Sequence, residues 1–86
     1  MNVQLDNNEA LLLSVVVEKG MMPGYKLKGE LRDLAEAQLL DAVRGLVSKN
    51  LVTVDGGFRT WDQLERAYLF VQPSNQTLAH SLLRKS

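Results

Sequence analysis

The chain of 86 residues contains no cysteine. Disulfide bonds and cysteine-based metal sites are therefore excluded as sources of stability or of chemistry. A domain of this length lies near the small end of what can bury its own core, so extra stability has to come from close packing or from oligomerisation. We interpret the sequence as a single domain over residues 1–86.

The chain also lacks an excess of charge of either sign, because 10 Lys and Arg residues balance 10 Asp and Glu residues. Nucleic-acid-binding proteins are usually basic, since neutralisation of phosphates provides most of their affinity. The balance counts against such a role, but the distribution of charge matters more than its sum. Positive charge is weakly gathered in the middle of the chain, at Lys26, Lys28, Arg32, Arg44 and Lys49.

Long apolar runs are missing too. The longest, residues 10–17, is interrupted by Ser14 and is far shorter than the ~20 residues that span a bilayer. The first residues have no basic segment and no cleavage site of small residues, which is not the pattern of a signal peptide. We therefore expect a cytoplasmic protein without a membrane partner.

Motifs for catalysis and for cofactor binding do not occur in the sequence. It has no glycine-rich phosphate loop, no nucleophile elbow and no paired-histidine motif. His80 is the only histidine, and without a second ligand type nearby it is interpreted as a surface or interface residue. The sequence thus predicts no enzyme, no metal site and no cofactor.

What the sequence does contain is 45% hydrophobic residues, which indicates a globular domain. A first helix is predicted from Glu9 to Lys19, with Asp6 and Glu9 forming a capping box. The valines at 15–17 also fit a strand, but Asp6 and Gly20 bracket a helical length. The helix is apolar almost all round, which predicts burial in the core and also in a dimer interface.

Two more helices are predicted after Pro23 breaks the pattern. The second runs from about residue 25 to residue 32. The third begins at residue 34 or 35 and ends at Lys49, with an apolar stripe at Leu39, Val43 and Leu46. Asn50 suits the left-handed position that ends a helix.

A hairpin and a last helix follow. A strand is predicted at Leu51–Val54, and Asp55-Gly56 is a strong turn signal. The returning strand starts either at Phe58 or, in the interpretation that we favour, at Tyr68 to Val71 after a loop with a helical turn capped by Thr60. The final helix runs from Ser74 or Asn75 to about Lys85.

Three helices, a two- or three-stranded wing hairpin and a C-terminal helix are the plan of a small α+β winged helix-turn-helix domain. Three segments resemble regulators of this superfamily of the PadR and MarR type. Residues 11–31, LLLSVVVEKGMMPGYKLKGEL, are similar to the PadR-type opening, whose Gly-Tyr-x-Leu motif is matched by Gly24, Tyr25 and Leu27. Residues 39–56 resemble a recognition helix that runs into the first wing strand, and residues 67–83 resemble the second wing strand with the start of the last helix.

The resemblance implies a transcriptional regulator that binds double-stranded DNA as a homodimer. Cations of the second helix would then contact phosphates, side chains of the third helix would read base edges, and a wing arginine would enter a minor groove. The same side chains also fit an ordinary solvated surface. The candidates for DNA contact are Lys26, Lys28, Arg32, Gln38, Arg44 and Arg59.

A second hypothesis stays open, a winged helix that binds another protein as an adaptor or anti-regulator and not DNA. The zero net charge and the acidic residues Glu36 and Asp41 of the third helix favour it. In both cases we expect a homodimer, because small domains without disulfides gain stability by pairing apolar surfaces. The candidate interface residues come from the first and last helices: Leu12, Val16, Leu78 and Leu82.

Overall fold

A computed structural model describes residues 4–85, with side chains as far as Leu83. This part of the chain forms five α-helices and one three-stranded antiparallel sheet, an α+β arrangement. Two 3-10 turns, Gly24–Lys26 and Pro73–Asn75, precede the second and the fifth helix. The elements are α1 (Asn7–Lys19), β1 (Met21–Pro23), α2 (Leu27–Glu30), α3 (Glu36–Ser48), β2 (Thr53–Asp55), α4 (Trp61–Arg66), β3 (Tyr68–Phe70) and α5 (Gln76–Lys85).

Both ends of α1 are capped as the sequence predicts. The side chain of Asp6 accepts a hydrogen bond from the Glu9 N–H at 2.7 Å, and the Glu9 side chain accepts one from the Asp6 N–H at 3.0 Å. These bonds satisfy two donors that a helix start leaves unpaired. Gly20 ends the helix with φ 82°, which favours glycine, and donates to the Val16 carbonyl. The predicted helix is confirmed, and the alternative of a strand is wrong.

β3 is the central strand of the sheet, whose strands lie in the order β1-β3-β2. Its middle residue, Leu69, pairs with Met22 on one side and with Val54 on the other. Since successive side chains of a strand point to opposite faces, these three residues face the core. The other face of the sheet, which carries Met21 and Tyr68, is turned to solvent.

The core lies between the helices and the inner face of the sheet. All five helices and the central strand contribute side chains to it, including the predicted stripe of α3. One hydrophobic cluster therefore holds the described part of the chain together. Its completely buried members are Leu12, Leu13, Val16, Leu27, Leu39, Val43, Leu46, Leu64, Leu69 and Ala79.

Two features near Pro23 differ from the sequence-based predictions. β1 occupies residues for which only a break in the helix pattern was expected, because its three residues gain their structure from pairing with the distant β3. The second helix, predicted over residues 25–32, is the single turn Leu27–Glu30. The N–H of Gly24 donates to the Ala67 carbonyl at 2.8 Å, so this part of the chain is held beside the sheet and enters the helix late.

The connection between β2 and β3 is not a tight hairpin. Residues 56–67, called the insert below, contain α4, and the Thr60 hydroxyl accepts a hydrogen bond from the Gln63 N–H at its start. The predicted helical turn and the choice of Tyr68 for the returning strand are both confirmed. β2 begins at Thr53, later than predicted, because Leu51 and Val52 are buried in the core before the strand pairs.

Gly24 provides the first test, because it allows the insert to approach. A Cβ at this position would lie 1.8 Å from the carbonyl oxygen of Leu64, a backbone atom that cannot turn away. We expect Gly24→Ala to lower the free energy of unfolding by about 1–3 kcal/mol or more, as overpacking of a fixed contact does. Urea unfolding followed by the fluorescence of Trp61 measures the change.

Gly29→Ala is the matched control, because a Cβ there would meet nothing within 4 Å and the residue lies in α2. We expect this variant to be neutral or more stable by up to about 1 kcal/mol, since alanine is the better helix former. Equal stability of the two variants would contradict the close approach at Gly24.

Candidate nucleic-acid interface

α3 is fixed against α1 by a buried carboxylate. Glu9 is only 4% exposed. In addition to its capping hydrogen bond, its carboxylate forms an ion pair with Lys49, the residue that follows α3. Its other oxygen, Oε2, would lie 1.8 Å from a Cβ built at Gly45, so any larger residue at that point of α3 would have to displace the Glu9 side chain. The contact joins the start of α1 to the end of α3, whose apolar stripe packs inward.

The outward face of α3 is polar. Its exposed side chains include Gln38, Asp41, Arg44 and Ser48, while the opposite stripe is buried. At the start of the helix the Gln38 side chain accepts a hydrogen bond from the Ala35 N–H at 2.8 Å. The face thus offers amide and guanidinium donors, but it also carries the carboxylate of Asp41, which repels an anionic ligand.

All six candidates for DNA contact are exposed side chains. They come from the 3-10 turn before α2, α2 itself, the turn between α2 and α3, α3 and the insert. No described residue pairs with the charged groups of Lys26, Arg32 and Arg59. The full set is Lys26, Lys28, Arg32, Gln38, Arg44 and Arg59.

Lys28 is already engaged within the molecule. Its ammonium group forms an ion pair with Glu36 at the start of α3 and lies 5.3 Å from the centre of the Trp61 ring. The indole N–H of Trp61 in turn donates to Glu65 at 2.6 Å. Because the carboxylate and the ring partly compensate its charge, Lys28 gains less from a phosphate than an unpaired cation does.

Arg44 is engaged as well, through the backbone of the insert. Its guanidinium donates to the carbonyl of Arg59 at 3.0 Å, and the N–H of Arg59 donates to the Gln63 side chain at 3.1 Å. These bonds hold the backbone of the insert beside the middle of α3. This contact could not be predicted from the sequence, since residues 44 and 59 belong to elements with no common pattern.

Two of the predicted dimer-interface residues are wrong. Leu12 and Val16 are completely buried within the single chain, so neither side chain has any surface to offer to a partner. The wide apolar face of α1 is instead covered by α3, α5 and the sheet. Leu78 is 42% exposed on α5, whereas Leu82 is half-buried against the core.

One exposed surface was not foreseen in the sequence. Met21, Tyr25 and Tyr68 have between 47% and 60% of their area exposed, and they belong to β1, the following turn and β3. The alternation of Tyr68, Leu69 and Phe70 contains the signal, because a strand with a buried Leu69 has to present its neighbours outward. Because β1 was not predicted, the sequence did not show that Met21 lies beside Phe70, or Pro23 beside Tyr68, on this face.

Other kinds of site are not built in the part of the chain that the structure describes. Among residues 4–85 no three His, Asp or Glu side chains come close enough to share a metal ion. His80 is exposed on α5 beside a cavity of about 40 Å³ lined by Val16, Val17 and Val71 among others. Within the same residues no helix has both the length and the apolar character needed to cross a membrane.

Comparison with protein-family models, curated proteins and solved structures gives no match for this chain.

The pairing of Lys28 gives the second test. We expect Lys28→Met to lower the free energy of unfolding by about 0.5–1.5 kcal/mol, because it removes an exposed ion pair and a cation–π contact while keeping the length of the side chain. Urea unfolding followed by the fluorescence of Trp61 measures the loss.

Lys26→Met is the matched control. It removes the same charge two residues earlier, where no described residue pairs with it, and is expected to change the free energy of unfolding by less than about 0.5 kcal/mol. Identical values for both would contradict the Lys28 contacts.

Proposed function

We propose that the chain is a winged-helix protein that binds double-stranded DNA through α3, as a transcriptional regulator does. The α2–turn–α3 unit corresponds to the helix-turn-helix, and β2, the insert and β3 correspond to the wing. The order β1-β3-β2 suits this interpretation, because it puts the wing strands next to each other beside the helices. The unusual part is the insert, which is helical and is attached to α3 and to the turn before α2.

The observation that carries the proposal is a group of unpaired cations around the exposed face of α3. Arg32 lies in the turn that leads into α3, and Arg59 lies beside the middle of α3 because Arg44 binds its carbonyl. Lys26 is the last residue of the 3-10 turn that leads into α2. Three cations without a described carboxylate partner are the groups with the most to gain from phosphates, since no ion pair has to be broken.

Base edges would be contacted by those hydrogen-bond donors of α3 that are not used in contacts within the molecule. A guanidinium has five N–H donors, and Arg44 uses one nitrogen for Arg59. Gln38 accepts through its oxygen, so its amide NH2 group is left to donate. Gln and Arg are suited to adenine and guanine edges in the major groove. Lys28 is left out of this contact set because Glu36 and Trp61 already hold it.

The salt dependence of binding tests this proposal. Three phosphate contacts should give a slope of about −2.7 when the logarithm of the binding constant is plotted against that of salt concentration. Arg32→Gln should make the slope shallower by about 1. The measurement is fluorescence anisotropy of a labelled duplex of mixed sequence at low salt.

Lys85→Gln, at the end of α5, removes the same charge from a residue outside the candidate set and is expected to leave the slope unchanged. The proposal fails if no duplex binds at low salt, or if both variants weaken binding equally.

A second candidate function, binding to another protein chain, is favoured by two exposed leucines. Leu11 on α1 and Leu78 on α5 are 44% and 42% exposed, and the two helices pack together. Since the net charge is zero, association through this surface has little repulsion to overcome. The simplest partner is a second copy of the chain, in agreement with the predicted homodimer. Of the predicted interface residues only those of α5, Leu78 and Leu82, would take part, together with Leu11 on the outer side of α1.

Sedimentation of the chain tests this second candidate. We expect a dimer at high micromolar concentration and a folded monomer for Leu78→Glu, because a charge at the interface would be buried without a partner. Gln76→Glu adds the same charge two residues away on α5, on the other side of the helix, and should still dimerise. A monomer at every concentration for the unchanged chain would rule out this mode of association.

A further inference from the structure

Arg59, in the insert, is hydrogen-bonded through both polar groups of its backbone. Its carbonyl accepts a bond from the guanidinium of Arg44 at 3.0 Å, and its N–H donates to the side-chain oxygen of Gln63 at 3.1 Å. The two groups flank the Cα from which the Arg59 side chain starts. Because Arg44 belongs to α3 and Gln63 to α4, that Cα is held between the two helices.

The side chain of Gln63 is itself held in place. The residue lies in the first turn of α4, where its N–H donates to the Thr60 hydroxyl. A Cβ built at Gly57 would lie 3.1 Å from the Gln63 side-chain oxygen and 3.3 Å from its amide carbon, so the amide lies close to that glycine. The next residue, Leu64, is completely buried and anchors α4 in the core. The acceptor for the Arg59 N–H therefore has a fixed position.

The chain segment before Arg59 has few bonds of its own. Gly56 and Gly57 are exposed, and outside the sheet no hydrogen bond among the described residues holds either of them or Phe58. Glycine also leaves the backbone more freedom than other residues do. The Phe58 side chain packs against the core, but apolar packing has no preferred direction. The orientation of the Arg59 backbone therefore depends on its two hydrogen bonds.

We propose that Gln63 is a positioning residue for duplex binding, an inference that rests on the function proposed above. Gln63 acts through Arg59, because by accepting a bond from its N–H it keeps the Arg59 Cα at one place beside α3 before the duplex arrives. An arginine on a held backbone loses less freedom when its side chain contacts a phosphate. Without the acceptor the N–H bonds to water, and the segment that starts at Gly56 takes up several positions. The phosphate contact of Arg59 then costs more to form.

Gln63→Met tests the proposal on the whole chain, because methionine has a similar length and helix propensity but no oxygen. Binding is measured by fluorescence anisotropy of a labelled duplex of mixed sequence at low salt. We expect Gln63→Met to weaken binding about two- to tenfold, the cost of ordering one long side chain on binding. In a chain that already carries Arg59→Gln, the same change should weaken binding by less than about twofold, since the side chain that it positions is gone. Gln76→Met, at an exposed residue of α5, is the matched control and should bind like the unchanged chain.

Amide hydrogen exchange of the free chain measures the hydrogen bond itself. The Arg59 amide should exchange faster in Gln63→Met than in the unchanged chain. It should exchange slowly again in Gln63→Glu, whose carboxylate provides an acceptor of the same length. Circular dichroism of each variant establishes that it is folded, which the exposure of Gln63 leads us to expect.

The proposal is overturned if Gln63→Met binds the duplex as well as the unchanged chain does. It is also overturned if Gln63→Met weakens binding equally with and without Arg59→Gln, because Gln63 would then act independently of Arg59, or if the exchange of the Arg59 amide does not change. Absence of duplex binding by the unchanged chain would overturn the proposed function together with this proposal, whereas a Gln63→Met variant without effect leaves the proposed function standing.

Discussion

The carboxylate of Glu9 is the constraint on which the rest of the structure depends. It caps the start of α1, pairs with Lys49 at the end of α3 and occupies the space left by the missing side chain of Gly45. Lys49 is 29% exposed while the Glu9 side chain is almost completely buried, so loss of Lys49 would leave a buried carboxylate with less compensation for its lost hydration. This group therefore fixes one point of the contact between α1 and α3, beside the apolar residues that pack the two helices together.

Internal pairing, and not the number of cations, determines what the surface of this protein can bind. Lys28 belongs to α2 and Arg44 to α3, but their charged groups contact residues of the insert. The cations that have no described partner, Lys26, Arg32 and Arg59, lie in the 3-10 turn before α2, in the turn before α3 and in the insert. A chain with zero net charge can still attract phosphates at such places, because screening limits each interaction to a distance of about 10 Å.

Local signals in the sequence predicted the helices well and the pairings poorly. Asp6, Glu9 and Thr60 act through residues three positions away, so the starts of α1 and α4 could be predicted. β1, in contrast, exists only because residues almost fifty positions later pair with it. The interface prediction for Leu12 and Val16 was wrong for a related reason. The elements that cover α1, which are α3, α5 and the sheet, are distant in the sequence and cannot be inferred from the pattern of α1 itself. The candidate cations were correctly expected at the surface, but their internal partners depended on the position of the insert.

The proposal that α3 binds duplex DNA is tested most directly by mapping of amide signals by NMR. The ¹⁵N-labelled chain is titrated with a duplex of mixed sequence. We expect the duplex to shift the signals of Arg32, Gln38 and Arg59 and to leave those of Tyr68 and Phe70, on the outer face of the sheet, unchanged. Shifts of Tyr68 and Phe70 without shifts of Arg32, Gln38 and Arg59, or no shifts at all, would contradict the proposal.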